Sequence, residues 1–170
     1  KIREVDEFLR ATPQALSKIR EVHPEVLFWG LNGGLVMKNS KKKKAGSDER
    51  LAVLEQVFSE ARQVCAHCMS TYRRSQLALD DVIDALVAAL VGTIDRESLT
   101  TLPPTPTRDP EGIPMEMVYL RRDVRRSDNV RITELSNTCL ESVQVATDEP
   151  SYMLFVRNSS CHVVDIAPAK

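Results

Sequence analysis

The sequence contains no apolar run of about eighteen residues, the length a membrane-spanning helix requires. No charged-then-apolar leader opens it either. A net charge of -1 and a pI near 6.4 leave no excess of positive charge. That balance excludes a globally basic nucleic-acid binder, although local clusters remain free to bind phosphate. Four cysteines form no regular framework, which accords with a reducing compartment. There is no nucleophile-base triad, Gly-rich phosphate loop or dinucleotide fingerprint. These absences lead to the expectation of a cytoplasmic protein with no membrane partner, whose other partners must be argued from local patches.

At 170 residues, 42% hydrophobic and 28% charged, the chain has enough material for one domain with a real core. It opens on Lys1 within "KIREVDEFLR", which reads as a helix already under way, so a preceding segment is expected. Ile2, Val5, Phe8 and Leu9 keep helical spacing, and Pro13 closes or kinks that helix. "EVHPEVLFWGLNGG" turns to Val, Leu, Phe and Trp and is bounded by Gly33 and Gly34. It reads as a buried strand and a turn. "KNSKKKKAGSDER" is a basic loop that would deliver Ser47 or Asp48 as a helix cap. From there a stripe at Leu51, Leu54, Phe58, Ala61, Cys65 and Cys68 predicts one helix of several turns. A break at 72–76 precedes an apolar helix that ends at Gly92, and "TLPPTPTRDPEG" reads as an extended Pro-rich surface connector. After "IPMEMVY" the style changes. An Arg cluster at Arg121, Arg122, Arg125, Arg126 and Arg131 leads into β-like runs at 130–135, 142–147, 152–157 and 161–166, the last two resembling a hairpin. The expected architecture is α/β, with residues 120–170 as a separate β-rich tail.

The apolar helix poses the sharpest question. From Val82 to Val91 every residue except Asp84 is Val, Ile, Leu or Ala, and a helix greasy on all sides expects burial. A buried carboxylate is normally neutralised, paired with a cation or bound to metal. Asp80 and Asp81 suit an N-cap and first turn, where negative charge is welcome. Asp84 does not. Asp81 and Asp84 stand three apart, so their carboxylates would project from one face with Cβ atoms about 5 to 6 Å apart. Such a pair could hold a divalent cation jointly with other carboxylates; the competing reading is a buried salt bridge.

Other residues are weighed in the same way. Lys41, Lys42, Lys43 and Lys44 could track a phosphate backbone, whereas charge runs in loops are usually just solvated. The Arg cluster is a weaker phosphate candidate because Asp123 and Asp128 interleave with it. "CAHC" at 65–68 offers zinc-ligand residue types, but no second pair follows and both cysteines continue the apolar stripe, so buried free thiols are the reading. Cys139 and Cys161 could face one another in the tail.

"DDVIDALVAAL" resembles the D-x-x-D-A pattern on the last helix of RNase H-like nucleases. More specifically, "KIREVDEFLR", "REVHPEVLFWGLNGG", "SKKKKAGSDERLAVL", "DDVIDALVAAL" and "EGIPMEMVY" stand in the order and spacing of the domain of unknown function four-two-nine family, whose members are predicted RNase H-like nucleases. The resemblance covers residues 1–119. It implies a Mg²⁺-dependent phosphodiesterase acting on nucleic acid, with carboxylates from several strands and the last helix holding the metal ions. Asp81 and Asp84 match that set. "HPE" resembles a family motif, in which Glu25 would orient a metal ligand or contact substrate; its other reading is a buried strand end with a capped His23. Two acidic strands that the family carries ahead of "KIREVD" have no counterpart in this sequence.

The resulting expectation is the C-terminal half of an RNase H-like domain at 1–119, with Asp81, Asp84 and Glu25 as catalytic candidates, Asp81 and Asp84 as metal ligands, Mg²⁺ as cofactor and Lys41, Lys42, Lys43 and Lys44 as nucleic-acid contacts. The contrasting expectation is a non-catalytic interaction or structural remnant of such a domain. With strands missing, the 22–29 strand and the Asp84 helix would expose apolar surface, so self-association through an uncovered strand edge is expected unless the tail supplies strands.

Overall fold

The computed structural model describes residues 2–122 and the strand Met153–Val156. Helix α1 (Ile2–Ala11) stops one residue short of Pro13, because the ring of a proline drives its predecessor out of the helical region; Thr12 has φ -135 and ψ 69. A short 3-10 turn at Pro13–Ser17 then feeds strand β1 (Ile19–Val22).

The expected strand at 22–29 ends almost at once, and a helix takes over. Helix α2 spans Pro24–Leu31. Pro24 occupies the first turn, where its missing N–H is no loss and its fixed φ suits the helix, and the His23 carbonyl accepts from the amides of Val26 at 2.9 Å and Leu27 at 3.0 Å. Leu27, Phe28, Gly30 and Leu31 are all buried. A continuous apolar run does not distinguish a buried strand from a buried helix, and the proline was the deciding signal.

Helix α3 (Lys44–Leu54) begins earlier than a cap at Ser47 or Asp48 would have it, with Lys43 as the capping residue. The Ser47 hydroxyl donates to the Lys41 carbonyl at 3.3 Å, and so ties the loop down from inside the helix. The expected single long helix is also two. The chain turns at 55–60 before helix α4 (Ala61–Thr71). No proline or glycine marks the break, and Phe58 enters the core at its centre, so tertiary packing overrides local propensity. The stripe survives: Leu51, Leu54, Phe58, Ala61 and Cys65 are buried and Cys68 is half-buried.

Helix α5 (Leu79–Gly92) packs on α2, α3 and α4 and forms the centre of the core. It ends at Gly92, as expected. The Pro-rich connector is a strand: β2 (Leu99–Arg108) pairs antiparallel with β3 (Pro114–Leu120), and the register shifts between Leu102 and Thr107, where Pro103, Pro104 and Pro106 have no amide to offer the ladder. The Asp109 carboxylate closes the hairpin by accepting from the amides of Glu111 at 3.0 Å and Ile113 at 2.7 Å.

Strand β4 (Met153–Val156) pairs parallel with β1, Ile19 opposite Met153 through Val22 opposite Val156. The class is thus α/β, with β1 and β4 in one small sheet and β2 and β3 in another. The expected β-runs at 130–135, 142–147 and 161–166, the arginines at 125, 126 and 131, and Cys139 and Cys161 lie outside the described residues. The apolar surface expected to be uncovered unless the tail supplied strands is enclosed, and the tail does supply β4. Val22, Leu27 and Phe28, together with Ile83, Leu86, Val87, Leu90 and Val91 of α5, are all buried, so these side chains offer no surface for self-association. Among the described residues no helix is long and apolar enough to cross a membrane.

α2 lies hard against β3. The Gly30 carbonyl accepts from the Arg122 amide at 3.1 Å, and the rings of Trp29 and Tyr119 sit 5.3 Å apart beside it. A Cβ at Gly30 would collide with the Leu120 carbonyl and the Tyr119 ring. Gly30→Ala should therefore lower stability by about 1–3 kcal/mol, the usual scale of overpacking, as read by chemical denaturation; a neutral substitution would show that α2 can slide on β3.

Candidate functional site

Asp84 is 3% exposed within α5, and its partner is a lysine. Lys41 Nζ donates to Asp84 Oδ2 at 2.6 Å. Lys41 comes from the loop between α2 and α3, and two charged residues of α3 hold that loop in place. The Glu49 carboxylate accepts from the amides of Lys38 at 2.8 Å and Asn39 at 2.9 Å and from the Asn39 side chain at 3.1 Å. Those bonds, the Lys38 amide foremost, hold the Glu49 carboxyl below its ordinary value.

Arg50, 3% exposed, supplies the second brace. Its Nη1 donates to the carbonyls of Asn39 and Gly46, each at 3.1 Å, and its Nη2 donates to both Glu25 oxygens at 2.7 and 2.8 Å. The guanidinium also lies 5.6 Å from the centroid of the Phe28 ring. Gly46 is required here, because a Cβ would run into the Ser40 carbonyl.

Burial raises the Asp84 carboxyl above the ordinary carboxylate value; the Lys41 hydrogen bond pulls it down without cancelling the rise, and Glu25 adds to it. On Lys41, burial acts to lower the ammonium. The hydrogen bond and charge of Asp84, joined by Asp80 and Glu25, overcome it, so the lysine sits above its ordinary value. The two effects act on folding in the same direction but in different pH windows. A raised lysine contributes stability that is complete below its unfolded value and lost as pH rises through the folded one, and a raised carboxyl likewise makes stability fall, in acid, as pH rises from its unfolded value through its folded one.

The candidates separate clearly. Asp84, Lys41, Glu25 and Arg50 form one charged cluster, whereas Asp81 is exposed and Asp80 half-buried. Asp81 shares the exposed side of α5 with Ala85, four residues on, whereas Asp84 lies with Val82 and Ile83 on the buried side packed against α2, α3 and α4. Lys42, Lys43 and Lys44 face water. His23 caps α2. Among the described residues no group of three or more His, Cys, Asp or Glu is placed to hold a metal ion. Arg50 was missed in the sequence, although it sits with Ser47, Leu51 and Leu54 at helical spacing on the buried stripe, a signal that was available. The "CAHC" side chains diverge: Cys65 is buried, Cys68 half-buried and His67 exposed.

Residues 1–108 match the family described as Protein of unknown function (DUF429). The chain belongs to this family. No curated protein and no solved structure matches it. The DUF429 match runs from α1 through β2 and takes in Glu25, Lys41, Arg50 and Asp84.

Replacing Lys41 by the near-isosteric Met removes the ammonium that donates to the buried Asp84 Oδ2. Lys41→Met should cost about 1–3 kcal/mol at neutral pH, the scale of an unsatisfied buried polar group. The gap should narrow in acid, as Asp84 of the variant takes up a proton, and again as pH rises from the ordinary lysine value of about 10.4 through the raised value of folded Lys41. Denaturation across pH checks this, and a pH-independent gap would leave Lys41 only a packing role. The Cys65 thiol, pushed up to about 11 by burial with a further rise from Cys68, should resist alkylation in the folded chain at neutral pH and react on unfolding. Mass spectrometry with a thiol reagent reads this directly, and fast labelling of native Cys65 would refute it.

Proposed function

We propose that this chain contributes the Asp84 helix and its lysine loop to a phosphodiester-hydrolysing nuclease of RNase H-like type, with nucleic acid as substrate. The observation that carries the reading is a carboxylate at 3% exposure in an otherwise apolar helix, held by one lysine of a run whose remaining members face solvent. Stability alone gives little reason for such a pair, since well-packed apolar residues commonly serve as well or better. A charged pair placed beneath a basic surface suits chemistry on an anionic substrate.

Mg²⁺ is the metal this reading implies, and the described residues do not by themselves fit it. Asp84 is engaged by an ammonium, both Glu25 oxygens are taken by Arg50, and Asp81 is exposed. A Mg²⁺ site at Asp84 therefore requires further carboxylates from outside the described residues. The contrasting reading, a non-catalytic interaction module of RNase H-like descent, is favoured by Lys41, which answers the charge of Asp84 without metal.

The deciding experiment is cleavage of labelled DNA and RNA oligonucleotides with and without Mg²⁺, alongside melting temperatures of the wild type and Asp84→Asn. The nuclease reading expects Mg²⁺-dependent cleavage that Asp84→Asn abolishes in a still-folded protein, and a Mg²⁺-dependent rise in melting temperature that the variant lacks. No cleavage, with melting indifferent to Mg²⁺ and a destabilised Asp84→Asn, would reject catalysis by this chain and favour the interaction module.

A further inference from the structure

The loop that delivers Lys41 inward presents a different surface outward. Among the large hydrophobic side chains exposed in the described residues, Leu35 at 66% and Val36 at 73% are the most exposed. They are not on a floppy tip. Gly33 and Gly34 take positive φ of 66 and 87 to form the turn, the Gly34 amide donates to the Trp29 carbonyl at 2.8 Å, and the Asn32 side chain donates to the Leu35 carbonyl at 3.0 Å. Beyond Leu35 and Val36, Met37 packs against the core and Glu49 holds the amides of Lys38 and Asn39. Two aliphatic side chains are therefore held in water by a braced backbone.

Lys38, Lys42, Lys43 and Lys44 follow on the same loop and helix start, all exposed, and none takes part in an ion pair among the described residues. The two acids of α3 are already engaged, while Asp80 on α5 acts on Lys41. Glu49 is held by backbone amides, and Asp48 pairs with Arg62 at 3.3 Å. The loop and helix start thus combine four exposed lysines, outside any ion pair among the described residues, with a small projecting apolar point.

We infer that this loop is a docking surface for a nucleic-acid strand with uncovered base faces, its phosphates on Lys38, Lys42, Lys43 and Lys44 and its bases against Leu35 and Val36. The inference rests on the nuclease reading and specifies how the strand approaches. Charge complementarity selects a polyanion. Two aliphatic side chains are too little apolar area to hold a bilayer surface, yet they match the size of the wedges that proteins place against unstacked bases. Continuity selects the same occupant, because Lys41, between the outward lysines, turns in to Asp84, so a backbone tracked by the loop leads to the buried pair.

The test uses the full 170-residue chain in EDTA, so that binding is read apart from cleavage, with fluorescent single-stranded oligonucleotides, blunt duplexes of the same sequence and vesicles of phosphatidylserine and phosphatidylcholine. Leu35→Ser combined with Val36→Ser should weaken single-strand binding about tenfold, the scale of partly burying two aliphatic side chains, and leave duplex binding unchanged. Changing Lys38, Lys42, Lys43 and Lys44 to Gln should reduce the salt slope by about three, at roughly 0.7 per phosphate contact on a single strand. Both variants alter exposed side chains, and an unchanged melting temperature checks their folding. Single-strand binding that ignores the Leu35 and Val36 changes, or a preference for the vesicles, overturns the inference. Binding as expected in a chain that never cleaves with Mg²⁺ leaves this surface standing and removes the nuclease reading; cleavage by a chain whose Leu35 and Val36 changes are silent does the reverse.

Discussion

A carboxylate enclosed by an apolar helix bundle must be met by a cation, and this one requirement orders the chain from α2 to α3. Asp84 fixes where the Lys41 ammonium has to be. Placing that ammonium fixes the loop backbone, whose amides and carbonyls must then find partners of their own. Glu49 takes the amides of Lys38 and Asn39, and Arg50 takes the Asn39 carbonyl. Arg50, itself a buried charge, is answered by Glu25 on α2. Each buried charge thus calls for the next, until the series ends at Glu25, whose side chain is 42% exposed and reaches water. Apolar packing could match the stability of such a series, but it would not fix the loop at one height above α5.

The parts of the fold that were legible in the sequence are those set by period and punctuation. α5 could be read because its apolar residues run unbroken to Gly92, and the face shared by α3 and α4 could be read because Leu51 through Cys68 keep helical spacing across the turn between them. Errors arose where period carries no information. The run from Val26 to Leu31 is apolar on every side, so only Pro24 distinguished helix from strand. β2 was hidden by its prolines, which the ladder tolerates by shifting register around them.

The candidate site was half legible for a different reason. That Asp84 needs a partner follows from local chemistry alone, whereas the identity of that partner is a long-range contact, 43 residues away in the chain. Four adjacent lysines look alike in sequence. The fold distinguishes them, sending Lys41 inward while Lys42, Lys43 and Lys44 stay in water. Asp81 and Asp84 show the converse: spacing puts them on neighbouring positions of one helix, and the boundary between its exposed side, which Asp81 shares with Ala85, and its buried side then separates them.

Arg50 touches three separate stretches of chain, through Glu25 and Phe28 on α2, Asn39 in the loop, and Gly46 one turn back on its own helix. A residue clamped in this way ties local motions together. The backbone at Asn39 cannot lift away while the guanidinium stays seated, and unseating it removes the Glu25 pair that joins α2 to α3. The loop and the two helices beside it are therefore coupled through one side chain, and opening at Lys38 and Asn39 should follow a sub-global fluctuation of the helix pair rather than fraying of an independent surface loop.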